Sequence, residues 1–414
     1  MKIKHVLARE IYDSRGWPTV ECELILQNGV SVRAAAPNGL SVGTHEAVVL
    51  VDHEERLMGR GKRKAVDNIQ QKIAPLLIDQ DPNIVLLDAE MIDLDGSEDK
   101  SSLGANAMIA VSMAVCKAQA VCEEMELYEL LACLCDYDTI SLPVPMVNLV
   151  NGGMHADTSL AIQEFMVVPI GMHSFAEAME VCVAVFYKLR EVLQRYNKRI
   201  AFGDEGGFSL DGVSDIDVLD YLGATIDMVQ KQYSGSLMIA LDIAASHFYN
   251  RQHKTYDWQG KKVVPEELIS WYEKIVKRYP IYSLEDGLAE DDWDQWERLS
   301  HSLKSKVRIV GDDIFATNSL RIEEAIQKKV ADSVIIKPNQ VGTITEVLQA
   351  IKLCKDYGLN TIVSHRSGET NDTFIADLAI GTSANHIKAG SCCRGERVAK
   401  YNRLLRIEES LLHA

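Results

Sequence analysis

At 414 residues, with 47% hydrophobic and 25% charged composition, the chain is long enough for a large α/β barrel plus an accessory domain and has the balance of a soluble globular protein. Lys and Arg total 43 against 60 Asp and Glu, a formal charge of −17, which opposes attraction to a phosphate backbone and excludes nucleic acid as a main ligand. No apolar run approaches the roughly 20 residues of a membrane-spanning helix, and the opening Met1 to Val6 stretch leaves no room for a signal peptide's apolar segment, so a cytoplasmic protein without a membrane span is expected.

Residues 4–11, 19–27 and 30–36 alternate as paired strands do, with turn signals at Ser14-Arg15-Gly16 and Asn28-Gly29, and predict a three-stranded antiparallel meander. From about Lys62 the pattern turns helical, and 104–120 reads as a helix of small residues suited to close packing. Residues 1–138 therefore form an expected α+β domain. Ser141-Leu142-Pro143-Val144-Pro145 breaks the pattern and marks the boundary, with a second domain over 139–414.

Beyond it, short apolar runs recur, each closing on a polar residue ahead of a loop and helix. The closing residues are Glu164, Glu205, Asp242, Glu285, Asp312, Lys337, His365 and Lys388. Eight such ends predict a (β/α)8 barrel, in which strand ends converge on the C-terminal mouth where chemistry is placed. The later spacings fit one strand and one helix per unit, whereas the longer early gaps point to irregular first units. The nine cysteines contain no CxxC pair and sit mostly in apolar segments, as reduced core thiols do; the adjacent Cys392 and Cys393 leave that assignment open.

Asp242, Glu285 and Asp312 close successive strands, and three carboxylates at one mouth suit the hard cation Mg2+ better than Zn2+. One alone is as readily a helix cap; three at matching ends favour a metal site. Lys337 ends a run of Val, Ile and Ile, where burial and a nearby metal would lower its pKa and make it a neutral base, although a strand-end Lys is more often a salt-bridge partner. Glu205, in Gly203-Asp204-Glu205-Gly206-Gly207, lies in a bend where Glu164 and Asp204 would raise its pKa, as a general acid requires. His365-Arg366-Ser367-Gly368 and Lys388 bring positive charge and a hydroxyl to the last strands, where barrels often hold phosphate, so a phosphorylated anion is the expected substrate. No GxGxxG after a strand, GxxxxGK[ST] or HExxH is present, leaving dinucleotide, P-loop and zincin chemistry unsupported.

These residues carry a resemblance over essentially the whole chain. Asp13-Ser14-Arg15-Gly16, the 37–47 loop, Asn151-Gly152-Gly153-Met154-His155-Ala156, Gln163-Glu164-Phe165-Met166, Gly203-Asp204-Glu205-Gly206-Gly207, Ser364-His365-Arg366-Ser367-Gly368-Glu369-Thr370 and Arg406-Ile407-Glu408-Glu409 resemble, in order, the motifs of the enolase family. The resemblance implies an enolase-type barrel with an N-terminal α+β capping domain, and reversible dehydration of 2-phosphoglycerate to phosphoenolpyruvate in glycolysis and gluconeogenesis. It implies that Lys337 removes the C2 proton and that Glu205, helped by Glu164, protonates the leaving hydroxyl. Asp242, Glu285 and Asp312 would bind one Mg2+, and Ser41 on a mobile loop would help bring in a second. Arg366 and Ser367 would grip the phosphate, Lys388 the carboxylate, and His155, Gln163 and His365 would line the cavity. A homodimer or octamer is implied by analogy, as is a surface or secreted fraction beside the cytoplasmic one.

The chain departs from the family pattern at Asn38, Leu40 and Val42 around Ser41, at Trp17, at Gly395, and in stopping at Ala414. The loop changes keep in view a paralogue acting on a related phospho- or phosphono-acid, and family analogy adds a non-catalytic scaffold or binding protein as another reading.

Overall fold

The structure, a computed structural model, describes residues 1–40, 42–137, 139–196 and 198–413. Ser41 and Asp138, the expected loop ligand and the expected end of the first domain, therefore lie outside the described residues. Strands β1 (Ile3–Tyr12), β2 (Pro18–Leu26) and β3 (Ser31–Ala35) form the expected antiparallel meander in the order β1-β2-β3. Helix α1 (Ala105–Cys122) packs against β2 and β3. It starts at Gly104, whose φ of +96° and whose Leu50 neighbour, 2.7 Å from where a Cβ would stand, admit only glycine.

Helix α1 is 18 residues long with mean hydropathy 1.4, so by length and composition it matches a membrane span, contrary to the expectation that no segment comes near one. Yet 78% of it is buried inside the structure. Its apolar surface is spent on the protein core. All nine cysteines are free; Cys22, Cys116, Cys135, Cys182 and Cys354 are buried, whereas Cys133 is exposed, unlike the core thiol expected.

The barrel consists of β4 (Val144–Asn151), β5 (Glu164–Ile170), β6 (Ser236–Asp242), β7 (Ile281–Glu285), β8 (Arg308–Gly311), β9 (Ser333–Ile336), β10 (Asn360–Ser364) and β11 (His386–Lys388). Neighbours in that order are hydrogen-bonded, and β11 pairs with β4 to close the ring. Met146, Met166, Val168, Ala240, Val310, Ile335 and Ile362 form a core of their own, drawn from the strands and separate from the main core, as the packed interior of such a barrel is.

The first two staves differ from the sequence expectation. Ser141 to Pro145, read as the boundary, runs into a barrel strand that was not expected, Val144–Asn151: Pro145 is its second residue, near the strand start where a proline is tolerated. Glu164 opens its strand instead of closing it, and β5 runs antiparallel to both β4 and β6. The segment leading to Glu205 is a two-residue strand, Ala201–Phe202, paired with Phe208–Ser209 beside β4 and outside the closed ring. Irregular first units follow from this.

Two contacts fix the meander to the barrel mouth. Asn38 and Gly368 exchange backbone hydrogen bonds of 2.8 and 2.9 Å. Ser14 N donates to Glu369 O at 2.8 Å. At the far side, helix α2 (Phe175–Arg195) has its first amides bound by Glu408 of helix α3 (Gly395–His413), at 2.5 and 2.9 Å, which satisfies helix-end donors that would otherwise lack partners.

Candidate active site

The antiparallel entry of β5 is what brings Glu164 to the mouth. In register Glu164 stands opposite Asp242, and Asp242 stands beside Glu285. Three carboxylates thus sit on adjacent strands, all at most 4% exposed. Lys388, at the end of β11, answers them: its Nζ lies 3.0 Å from Glu164 Oε2, 3.2 Å from Asp242 Oδ2, and 2.8 and 2.9 Å from the two oxygens of Glu285. Burial alone would pull its pKa down, but Asp242, Glu164 and Glu285 outweigh burial and hold it well above the usual lysine value. Burial and the Asp242 charge push Glu285 well above the ordinary carboxylate range.

Asp312 follows β8 and forms an ion pair with Lys337, which follows β9. Lys337 was expected to have a lowered pKa. Burial does act that way, but the Asp312 carboxylate overrides it and the net shift is upward; the Asp312 carboxyl is correspondingly lowered, Lys337 overcoming the burial effect. The ion pair thus favours the charged form of Lys337.

On the other side of the cavity wall Glu164 and Glu205 share His155, whose Nδ1 is 3.3 Å from Glu164 Oε1 and 3.4 Å from Glu205 Oε2. Burial and the Glu205 charge push Glu164 up to about 7. Glu205 goes the opposite way to the expectation: burial raises it, but His155 and His365 overcome that and hold it well below the usual range. Asp204, expected to help raise it, is not among these influences. His155 itself rises to about 10, burial being outweighed chiefly by Glu205. Glu164 and Glu205 are thus shifted in opposite directions, the first upward and the second downward.

Several residues that support this pair were not legible in the sequence. Asn148 and Asn151 donate to Glu205 Oε2 at 2.8 and 3.3 Å. Asn151 also accepts from Gly207 N at 3.0 Å, and a Cβ on Gly203 or Gly207 would come within 2.6 Å of the Asn151 side chain. The glycine-rich bend is thus the space that lets Asn151 reach Glu205. Asn151 was visible as part of a motif; Asn148 carried no signal, because strand alternation puts residues three apart on opposite faces and only the register shift between Asn148 and Val150 breaks that alternation.

His365 Nε2 lies 3.5 Å from Glu205 Oε1. Its Nδ1 faces the Arg397 guanidinium at 2.5 Å. An arginine only donates, so Nδ1 accepts and the hydrogen sits on Nε2, towards Glu205. Arg397, fully buried, also donates to the carbonyls of Arg366 and Ser367 at 2.6 Å each. It braces the whole 365–367 segment. Gln163 Nε2 donates to Asp242 Oδ2 at 3.3 Å, and Ser367 Oγ accepts from Leu40 N at 2.7 Å.

One cavity is lined by His155, Gln163, Glu164, Glu205, Asp242, Lys337, His365, Arg366, Ser367 and Lys388, joined by Ser364. Of the expected site residues, Glu285 and Asp312 adjoin it through Lys388 and Lys337. A larger groove between Tyr12, Arg33, Lys117 and Asp372 lies elsewhere and contains none of the expected site residues.

The donor set fits a hard divalent cation. Asp242, Glu285 and Asp312 are buried oxygen donors, and the carboxylate crowding that raises Glu285 is what a cation relieves. They do not form a tight group by themselves, since Lys388 and Lys337 stand among them. Among the described residues the compact groups are His155, Glu164 and Glu205, and Asp286, Asp312 and Asp313. Asp286 in the second is engaged by the amides of Asp312 and Asp313, at 2.9 Å each.

Comparison with known proteins agrees with this arrangement. Residues 139–414 match the family model described as enolase, C-terminal TIM barrel domain, and residues 3–131 match the enolase N-terminal domain. A relative named enolase, from Natranaerobius thermophilus, is 43% identical over 410 residues, covering 99% of this chain and 95% of its own length. The chain belongs to the enolase family.

Proposed function

We propose that this hydro-lyase interconverts 2-phospho-D-glycerate and phosphoenolpyruvate by removing and adding water. The observation that carries the reading is the cavity in which Lys337 meets the Glu164–His155–Glu205 acid cluster, with Arg366, Ser367 and Lys388 as further cationic and hydroxyl groups. In the forward direction Lys337 takes the C2 proton, the C–H electron pair passes towards the substrate carboxylate, and the C3–O bond breaks as the acid cluster supplies a proton to form water. The proton starts on Glu164, whose pKa is the raised one, and passes through Glu205 to the C3 hydroxyl. Lys337 must be neutral to begin, so its pairing with Asp312 has to loosen in the working enzyme.

Asp242, Glu285 and Asp312 would hold Mg2+, and Ser41 a second Mg2+. The ions supply the positive charge that makes removal of a proton next to a carboxylate feasible. Lys388 would pair with the substrate carboxylate, Arg366 and Ser367 would bind the phosphate, and His155, Gln163 and His365 would line the site.

The division at 138/139 belongs to this reading, supported by the ranges of the two family matches. So does a homodimer, supported by exposed Leu7 and Tyr12 on the edge strand β1. A cytoplasmic enzyme of glycolysis and gluconeogenesis is supported by nine free thiols, which suit a reducing compartment. The test is phosphoenolpyruvate formation from 2-phosphoglycerate, followed by ultraviolet absorbance with and without Mg2+. Mg2+-dependent turnover is expected; its absence in folded protein would overturn the reading in favour of a related phospho- or phosphono-acid.

A further inference from the structure

Arg366 does not stand by itself at the mouth. Its Nη1 and Nη2 donate to Glu46 Oε2 and Oε1 at 2.7 and 3.1 Å, a two-pronged contact between side chains 3% and 2% exposed. Glu46 belongs to the 37–47 loop, 320 positions away in sequence. Its Oε1 also accepts from Gly43 N at 3.1 Å, within the loop itself. The next residue, Ala47, donates its N–H to Gln340 O at 2.8 Å, which ties this end of the loop to the barrel. Gln340 in turn donates to Asp312 Oδ1 at 3.1 Å and accepts from Thr317 at 2.6 Å. At the other end of the loop, Leu40 N donates to Ser367 Oγ, and a Cβ on Gly39 would stand 2.0 Å from Arg366 Nη2. Glu46 does not line the cavity.

We infer that Glu46 is the positioning residue of Arg366: a loop carboxylate that fixes the plane of the guanidinium, so that seating of the loop and aiming of the phosphate-binding arginine are one event. The inference rests on the proposed role of Arg366 in binding phosphate. A planar fork met by a matching carboxylate is held in orientation as well as in place, which a lone flexible arginine is not. Because Glu46 sits on the loop and Arg366 on the barrel, any displacement of residues 43–47 removes the brace. Substrate phosphate then meets an arginine that must be ordered on binding, and that ordering weakens affinity. The chemistry at C2 and C3, handled by Lys337 and the glutamates, is left in place.

Glu46→Gln and Glu46→Asp test this. The expected result for Glu46→Gln is a rise in KM for 2-phosphoglycerate of about 10-fold or more, corresponding to about 1.4 kcal/mol of lost binding, with kcat changed much less. The competitive inhibition constant of inorganic phosphate should rise by the same factor, and Glu46→Asp, which keeps the charge, should fall between wild type and Gln. Unchanged KM and phosphate inhibition overturn the inference. So does a fall in kcat and melting temperature with KM intact, which is what a merely structural residue would give. If wild-type protein fails to turn over 2-phosphoglycerate, the functional reading fails separately. Calorimetric titration with inorganic phosphate then decides: loss of affinity in Glu46→Gln supports the brace, and equal affinity overturns it.

Discussion

Lys388 holds both carboxylate oxygens of Glu285, at 2.8 and 2.9 Å, while also reaching Asp242 and Glu164. One ammonium thus neutralises acids contributed by three strands. Removing it leaves buried carboxylates unpaired, which typically destabilises a protein by about 3–5 kcal/mol. Lys388→Met should therefore lose activity and melt at lower temperature. Because a divalent cation relieves the same crowding, Mg2+ should raise the melting temperature of Lys388→Met more than that of wild type. Scanning calorimetry with and without Mg2+ checks this; equal shifts would mean that the lysine and the metal do not answer to the same carboxylates.

The Glu164 and Glu205 pair predicts a pH limb. Glu164, pushed up to about 7 by burial and by Glu205, is protonated below that pH and loses its proton as pH rises through it. Dehydration needs that proton, so kcat/KM should fall on the alkaline side of neutrality. Glu164→Gln, which can neither store nor pass a proton, should be slower by about 10²–10⁴-fold, the usual range for general acid–base groups, and should lack that limb. A pH–rate series on both proteins is the measurement. An unchanged limb in the variant would assign it to another group.

Gly207 is predicted to be intolerant of a side chain. A Cβ there would stand 2.6 Å from Asn151 Oδ1, forcing Asn151 away from Glu205. Gly207→Ala should destabilise the protein by about 1–3 kcal/mol, as overpacking does, and should lower kcat by disturbing the acid cluster. Denaturant unfolding and steady-state kinetics together check it, and wild-type behaviour in both would contradict the described packing.

At the start of β11, His386 accepts or donates one hydrogen bond with Tyr282 OH at 2.9 Å. Burial lowers its pKa to about 4. Its folded pKa lies below its unfolded one, so the unfolded chain binds the proton first as pH falls. Stability from this group is fully present above about pH 6.5 and is lost progressively towards pH 4, by at most about 3 kcal/mol at roughly 1.4 kcal/mol per pKa unit. His386→Asn should flatten the stability profile across that window. Melting temperatures measured from pH 7 to 4 would show it; an equally steep decline in the variant would assign the acid sensitivity to other groups.

The later half of the barrel was legible because each unit repeats one apolar run, one polar end and one helix, which placed Asp242, Glu285, Asp312 and Lys337 at the mouth. The first units were not. Pro143 and Pro145 read as a break although Pro145 lies within β4, and nothing in the run 164–170 distinguishes an antiparallel strand from a parallel one. The family motifs named the cavity residues, but the direction in which each pKa is shifted follows from contacts that local spacing does not show. Whether Glu205 or Glu164 carries the raised pKa depends on His155 and His365, which only the fold brings against Glu205. Pairings such as Glu46 with Arg366 join positions hundreds of residues apart and leave no local pattern to read.

In the proposed reaction Lys337 removes the C2 proton while the Glu164–Glu205 pair serves the C3 hydroxyl. Exchange of the C2 hydrogen of 2-phosphoglycerate with deuterated solvent, followed by NMR with Mg2+ present, separates the two steps. Glu205→Gln should keep the exchange while blocking loss of water, and Lys337→Ala should abolish it. Exchange persisting in Lys337→Ala would contradict the account.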